Sequence, residues 1–155
     1  MATLYGALAA LQNSPSNKTP VGPLEAFPNT RTLLLRYTQT GSEAASDIVR
    51  LYKLPPGAIV IPQLSAVTST GLSATAATIT VGDYKPDGTV LDADRYSTSL
   101  DVQGAGVDSF TGGVAAATPF VTTEDSWLTF TYATLTGTVT ANATLDFRVV
   151  VNFPR

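Results

Sequence analysis

Cysteine and histidine are both absent from this chain of 155 residues. No disulfide can therefore form, and the usual zinc ligands and the thiol and imidazole groups of many hydrolases are missing together. A Ser-His-Asp arrangement is excluded as well. We therefore predict that the protein is not an enzyme, with no catalytic residues, no cofactor and no bound metal.

Charged residues are scarce, at 14% of the chain, with 9 Lys and Arg against 12 Asp and Glu. The basic residues are scattered from Lys18 to Arg155 and form no stripe that could neutralise a run of phosphates. We therefore expect no nucleic-acid partner. Hydrophobic residues make up 44% of the chain, which argues against disorder and suits one domain with a real core.

The apolar N-terminal segment does not have the properties of a membrane span or a signal peptide. Its first charged side chain is Lys18, so it lacks a basic start, and its apolar part is shorter than the roughly 20 residues that cross a bilayer. We expect no membrane partner, a mature chain that starts near Met1, and synthesis in a cytoplasm.

The composition changes at about residue 30. Leu4, Leu8 and Leu11 recur at spacings of four and three, which would form one stripe on a short helix. Four prolines between Pro15 and Pro28 follow and forbid regular structure. We predict an N-terminal arm over residues 1–30, helical at first and then extended, followed by a β-sandwich domain over residues 31–155.

From residue 31 onward, segments rich in Thr, Val and aromatics alternate between apolar and polar side chains, with turn signals between them. The clearest alternation ends the chain: Leu145, Phe147, Val149, Val151 and Phe153 oppose Asp146, Arg148 and Asn152. We predict an all-β fold, an antiparallel β-sandwich of the jelly-roll type with about eight strands. Residues 143–153 are expected to form the longest strand.

Residues 47–65 are predicted to form a strand, a turn and a second strand. The turn contains Pro55 and Pro56, which cannot donate to a ladder, and Gly57, which can adopt a positive φ. The segment "GAGVDSFTGG" (residues 104–113) lacks the spacing of a phosphate-binding loop and is predicted to be a flexible loop.

Two groups of acidic residues have side chains that could act as metal ligands or catalysts. Asp83, Asp87, Asp92 and Asp94 could supply oxygen ligands for Ca²⁺, but their spacing fits no EF-hand loop, and an acidic surface hairpin is the favoured interpretation. Glu124 and Asp125 precede a predicted strand and suit a turn better than a catalytic carboxylate pair.

Several motifs resemble those of a family of virion proteins from tailed bacteriophages. Lys53-Leu54-Pro55 with Gly57-Ala58, then Val81-Gly82-Asp83, then Asp92 to Tyr96 ("DADRY") occur in the order found in that family, and the starting "MATLYG" is also similar. The chain resembles the small jelly-roll head-decoration, or cement, proteins of podovirus-like phages. The likeness covers residues 1–102 loosely, whereas residues 103–126 do not fit its pattern.

This resemblance implies a structural protein on the capsid exterior, made in the host cytoplasm, that binds between major capsid protein subunits. It also implies self-association, as a dimer or a trimer. Two alternatives stay open: a structural component of a phage tail, collar or fibre, and a carbohydrate-binding β-sandwich module, for which Trp127 is the one tryptophan platform.

The arm offers the candidate contact residues. Leu4, Tyr5, Leu8 and Leu11 precede a proline-rich connector that cannot join a sheet, so their side chains need burial elsewhere. They would pack either on their own sandwich or on a neighbouring copy or the major capsid protein, and the sequence leaves both open.

Overall fold

A computed structural model describes residues 30–72 and 75–153 of the protein. Nine strands occupy most of this part: β1 (Thr30–Thr38), β2 (Ile48–Leu54), β3 (Ile59–Val60), β4 (Ala66–Thr70), β5 (Ala76–Tyr84), β6 (Val90–Asp101), β7 (Ala105–Ser109), β8 (Ser126–Thr136) and β9 (Thr144–Asn152). A 3₁₀ turn (Pro62–Leu64) and one short helix, α1 (Val114–Ala117), complete the described elements. Residues 1–29, and with them the helix predicted for the arm, lie outside the described residues.

The strands form two antiparallel sheets. The first sheet has the order β1-β9-β4-β7, with β3 also pairing with β9, and the second has the order β2-β8-β5-β6. When the eight main strands are numbered along the chain without β3, the two sheets have the orders 1-8-3-6 and 2-7-4-5, which is the strand order of a jelly roll. The predicted jelly-roll sandwich is confirmed, with eight main strands and the two-residue β3.

The core lies between the sheets and is built by the inward side chains of the central strands. Leu145, Phe147, Val149 and Val151 of β9 are all at most 1% exposed. Phe147 stacks on Phe130 of β8 with ring centroids 5.2 Å apart. The alternation in the sequence therefore identified a strand with one fully buried face.

The prediction that residues 143–153 form the longest strand is wrong. β9 has 9 residues, whereas β6 has 12 and β8 has 11. The reason is that β6 pairs with β5 through several register shifts, so its buried side chains do not follow a single alternation. Tyr96 and Ser97 are adjacent and both fully buried. A clean alternation thus marks regularity rather than length.

For residues 47–65, the predicted first strand and turn are confirmed as β2 and the proline turn, whereas the second strand is reduced to β3, because a 3₁₀ turn begins at Pro62. Gly57 has a φ of 85°, and its N–H donates to the carbonyl of Thr122 at 2.6 Å. The Thr122 hydroxyl donates to the carbonyl of Pro55 at 2.6 Å and accepts from the N–H of Ala58 at 2.9 Å. The turn carries the chain from the second sheet to the first, because β3 pairs with β9.

The prediction of a flexible loop at residues 104–113 is wrong. Residues 105–109 form β7, which pairs with β4 over five residues and completes one edge of the first sheet. The segment was missed because only Val107 among these five is strongly apolar, and its side chain is 70% exposed. The strand is held by backbone pairing with β4, which leaves little trace in a local hydrophobic pattern.

Candidate functional site

The predicted contact residues of the arm, Leu4, Tyr5, Leu8 and Leu11, lie outside the described residues. The surfaces that the structure does describe are the outer faces of the two sheets and the ends of the sandwich. None of the helices among residues 30–72 and 75–153 is long and apolar enough to cross a membrane.

The outer face of the first sheet is exposed and rich in threonine. Its threonines include Thr32, Thr38, Thr68, Thr70 and Thr144. Arg36 of β1 and Asp146 of β9 form a two-pronged ion pair across it, with Nε to Oδ1 at 2.5 Å and Nη2 to Oδ2 at 2.9 Å. Leu34 of β1 and Val107 of β7 are each 70% exposed and lie on opposite edge strands.

The outer face of the second sheet is covered by its own side chains. The guanidinium of Arg50 lies 5.7 Å from the ring centre of Trp127 and donates to the carbonyl of Pro86 at 3.4 Å. Tyr84 is 4% exposed, and its hydroxyl lies 3.2 Å from that of Thr131. Because Trp127 is half-buried and contacted by Arg50, it offers no open stacking platform for a sugar ring. This geometry disfavours the carbohydrate-binding alternative.

Two of the motifs that carry the family resemblance, residues 81–83 and 92–96, meet at one end of the sandwich. Asp83 of β5 accepts a hydrogen bond from Nε of Arg95 of β6 at 2.8 Å, and Asp92 lies 3.7 Å from Nη1 of the same guanidinium. The guanidinium also lies 3.6 Å from the ring centre of Phe120. We call these four residues, Asp83, Asp92, Arg95 and Phe120, the Arg95 cluster. Through the contact between Phe120 and Arg95, this cluster packs the segment that precedes β8 against β6.

Gly82 makes the close approach of β5 and β6 in this cluster feasible. A Cβ atom at this position would lie 2.0 Å from the carbonyl oxygen of Asp92 and 2.4 Å from the carbonyl carbon of Ala93. Glycine is therefore required by the packing of the neighbouring backbone. The Val81-Gly82-Asp83 motif thus has a structural explanation. Gly82 allows the backbone of β6 to lie close to β5, and Asp83 binds Arg95 of β6.

Burial raises the pKa of Asp83, and the hydrogen bond and charge of Arg95 lower it by less. The hydroxyl of Tyr96 lies 3.5 Å from the second carboxylate oxygen of Asp83, and burial raises the pKa of this tyrosine far above its usual value. Asp83 is 1% exposed, so the interpretation of residues 83–94 as an acidic surface hairpin is wrong for this residue. Its carboxylate is engaged by Arg95 and is not available as a free acid or base.

The other acidic residues serve turns and ion pairs. Asp87 accepts from the N–H of Thr89 at 2.8 Å within the β5–β6 turn. Glu124 pairs with Lys85 at 3.1 Å, and Asp125 pairs with Lys53 at 2.7 Å. Within residues 30–72 and 75–153, no three acidic side chains come together in a way that could hold a metal ion.

A shallow cleft of about 110 Å³ lies beside the Arg95 cluster. Its lining includes Asp83, Arg95, Phe120, Glu124 and Ser126. The Ser126 hydroxyl is buried and has no hydrogen-bond partner among the described residues. A volume of this size suits a few water molecules, which would complete the hydrogen bonding of such a group. The cleft contains no nucleophile with an adjacent base.

Leu34 is an exposed apolar residue to which the predicted alternation of β1 assigns no place in the core. Leu33 and Leu35 alternate with Thr32 and Arg36, so the pattern accounts for two leucines and leaves the third on the outer face. The signal was present in the sequence as three consecutive leucines in a strand with one buried face, because the middle one must point away from the core.

Solved structures of other proteins contain chains with a similar fold. No family model matches the sequence, and no curated protein matches it either. Among solved structures, a chain of the capsid of Ralstonia phage GP4 is similar with a TM-score of 0.67 and 18% identity, over 81% of this chain and 85% of that one. A chain of the capsid asymmetric unit of cyanophage Pam1 has a TM-score of 0.57 and 22% identity, over 82% and 86%. These likenesses show that the same fold occurs in both.

Proposed function

We propose that this protein is a non-enzymatic structural component of a phage virion that decorates the capsid and cements neighbouring major capsid protein subunits. The observation that carries the proposal is the jelly-roll order of the eight main strands, shared over about four-fifths of the chain with chains from two phage capsids. The motifs at residues 53–58, 81–83 and 92–96 support the same family.

The surfaces of the sandwich suit a role in binding rather than in chemistry. The exposed face of the first sheet, with its threonines, Leu34 and Val107, offers area for a protein partner. Added interface area is sufficient to strengthen a shell, because the free energy of association comes from burial and complementary contacts. On this proposal the protein acts on the capsid exterior after synthesis in the host cytoplasm, with no nucleic-acid or membrane partner.

The N-terminal arm is proposed to make part of the contact. Residues 1–30 would extend from the sandwich domain of residues 31–155, and Leu4, Tyr5, Leu8 and Leu11 would be buried against the major capsid protein or a neighbouring copy. Because proline restricts the chain before binding, an arm with four prolines loses less entropy when a partner orders it.

Binding to purified capsids tests the role of the arm. We expect the full chain to sediment with capsids that lack it, and we expect deletion of residues 1–13, or Leu4→Ser with Leu8→Ser and Leu11→Ser, to weaken this binding at least about tenfold. Replacement of Thr3, Gln12 and Asn13 by alanine is the matched control and should bind like the unaltered chain.

Two results would contradict this part of the proposal. If the truncated chain unfolds, the arm belongs to its own core; if it folds and binds with unchanged affinity, the contact surface lies on the sandwich. Electron cryo-microscopy of virions separates capsid from tail, since density for the protein in the tail, collar or fibres would favour the alternative structural role.

A further inference from the structure

The four edge strands of the sandwich differ in how they are protected against pairing with another chain. β2 contains a bulge, β6 has several register shifts and is contacted by the segment around Gly112, and β7 has only five residues. These are the features that discourage pairing at an edge. β1 has nine residues, pairs with β9 without any register shift, and contains no proline.

The outward edge of β1 is therefore the longest regular pairing edge in the described part of the chain. Among the described residues, β1 forms strand pairs with β9 alone. β1 carries two charged side chains that could guard the edge. The guanidinium of Arg36 is held by Asp146 on the neighbouring strand, and that of Arg31 lies 5.8 Å from the ring centre of Phe153. Leu34, at the centre of β1, is 70% exposed.

The sequence of β1 is compatible with pairing to itself. When two copies of Thr30–Thr38 run antiparallel with Leu34 opposite Leu34, Leu33 lies opposite Leu35 of the second copy on the inner face. In the same register Arg36 lies opposite Thr32, and Thr30 lies opposite Thr38. No like charges face each other, and all three leucines meet apolar partners.

We propose that two copies of this protein form a dimer by antiparallel pairing of their β1 strands, centred on Leu34. The first sheets of the two copies then form one continuous sheet, and the exposed Leu34 side chains cover each other at the two-fold axis. The self-association, as a dimer or a trimer, that the family resemblance implies is thereby assigned to one surface and to the dimer. This inference rests on that self-association and does not require capsid binding.

Light scattering and sedimentation of the full chain test the dimer. We expect about twice 16.1 kDa at micromolar concentration. Leu34→Lys places two ammonium groups opposite each other and removes the apolar contact, so we expect dimerisation to weaken at least about tenfold. Val107→Lys is the matched control, because Val107 is equally exposed on the same sheet but lies on β7; it should leave the dimer intact.

Cysteine substitution tests the register, because the chain has no cysteine of its own. Residues directly opposite in an antiparallel pair have Cα atoms about 4.5 or 5.5 Å apart, within the range of a disulfide. Leu34→Cys should therefore form a covalent dimer under mild oxidation, whereas Val107→Cys should not. This milder variant also decides the matter if Leu34→Lys fails to fold.

Several outcomes would overturn the inference. The first is a monomer at micromolar concentration, which is also the result expected if residues 1–29 cover the β1 edge. The second is a dimer that persists in Leu34→Lys. The third is equal cross-linking of the Leu34→Cys and Val107→Cys variants. A dimer with the expected cross-link but without affinity for capsids would instead refute the proposed function and leave the β1 pairing standing.

Discussion

Each end of the sandwich places a carboxylate beside a tyrosine hydroxyl, but the carboxyl pKa is lowered at one end and raised at the other. At one end, Glu43 in the β1–β2 loop accepts from the N–H groups of Thr40 and Gly41 at 2.6 and 2.9 Å and from the hydroxyl of Tyr37 at 2.9 Å. At the other end, Asp83 is buried between strands and relies on Arg95. Burial alone would raise the pKa of both carboxyls.

The outcome differs because the two partner sets differ. At Glu43 the hydrogen bonds from the Thr40 backbone and hydroxyl and from Tyr37 outweigh burial and lower the pKa. At Asp83 burial outweighs the guanidinium, and the pKa is raised. Backbone N–H groups of a local loop stabilise a carboxylate that keeps contact with solvent, whereas one cation does not fully replace the water removed from a buried carboxylate.

The largest expected effect is at Arg95. Arg95→Met would leave the Asp83 carboxylate buried without its cation, and we expect a loss of about 3–5 kcal/mol in the free energy of unfolding at pH 7. Chemical denaturation measures it. The loss should shrink at lower pH, where Asp83 is protonated, and in the double variant with Asp83→Asn.

Arg36→Met is the matched control, since Arg36 also pairs with an aspartate but in solvent. We expect little change in stability there. If Arg95→Met and Arg36→Met lost equal free energy of unfolding, the burial of Asp83 would not be the reason for the loss in Arg95→Met.

A second test concerns how the Asp83 end is packed. Gly82→Ala would place a Cβ 2.0 Å from the Asp92 carbonyl oxygen, which requires a backbone shift and should cost at least about 1–3 kcal/mol. Gly106→Ala in β7 is the control, because nothing lies within 4 Å of its added Cβ. Thermal unfolding compares the two, and a Gly82→Ala protein as stable as the Gly106→Ala protein would contradict the close approach.

Much of the fold could be predicted from the sequence, whereas features that depend on contacts between distant strands could not. The alternation of β9 predicted a buried strand because inward and outward side chains follow the backbone period of two. β7 and the burial of Asp83 were not predictable in this way. Both depend on partners in other strands, β4 for the first and Arg95 for the second. Asp83 continues the inward alternation of Ile79 and Val81, but a carboxylate is kept at such a position only because Arg95 of β6 pairs with it.

The surface residues follow the same division. Leu34 could be located from the alternation in β1, but its position on a free edge of the sheet depends on the strand order, which no local pattern contains. The arm residues Leu4, Tyr5, Leu8 and Leu11 remain a prediction from the sequence.

The smallest expected effect is at Glu43, and its dependence on pH separates the two ends most sharply. Glu43→Gln keeps the shape but presents an amide where backbone N–H groups donate, so we expect a loss of about 1 kcal/mol at pH 7. Glu124→Gln, at an exposed ion pair, is the control and should change stability by at most about 0.5 kcal/mol. Because the folded pKa of Glu43 is below its usual 4.5, its contribution is present above that pH and is lost as the pH falls through the folded pKa.

The difference between the unaltered protein and Glu43→Gln should therefore shrink as the pH falls below about 4.5 in chemical denaturation series. For Asp83 the sign reverses: its folded pKa is raised, so the protonated form favours folding at low pH, and this contribution is lost as the pH rises through the folded pKa. The deficit of Asp83→Asn relative to the unaltered protein should consequently not shrink on acidification. If Glu43→Gln and Asp83→Asn showed the same pH dependence, the hydrogen bonds of the β1–β2 loop would not lower the pKa of Glu43 relative to that of the buried Asp83.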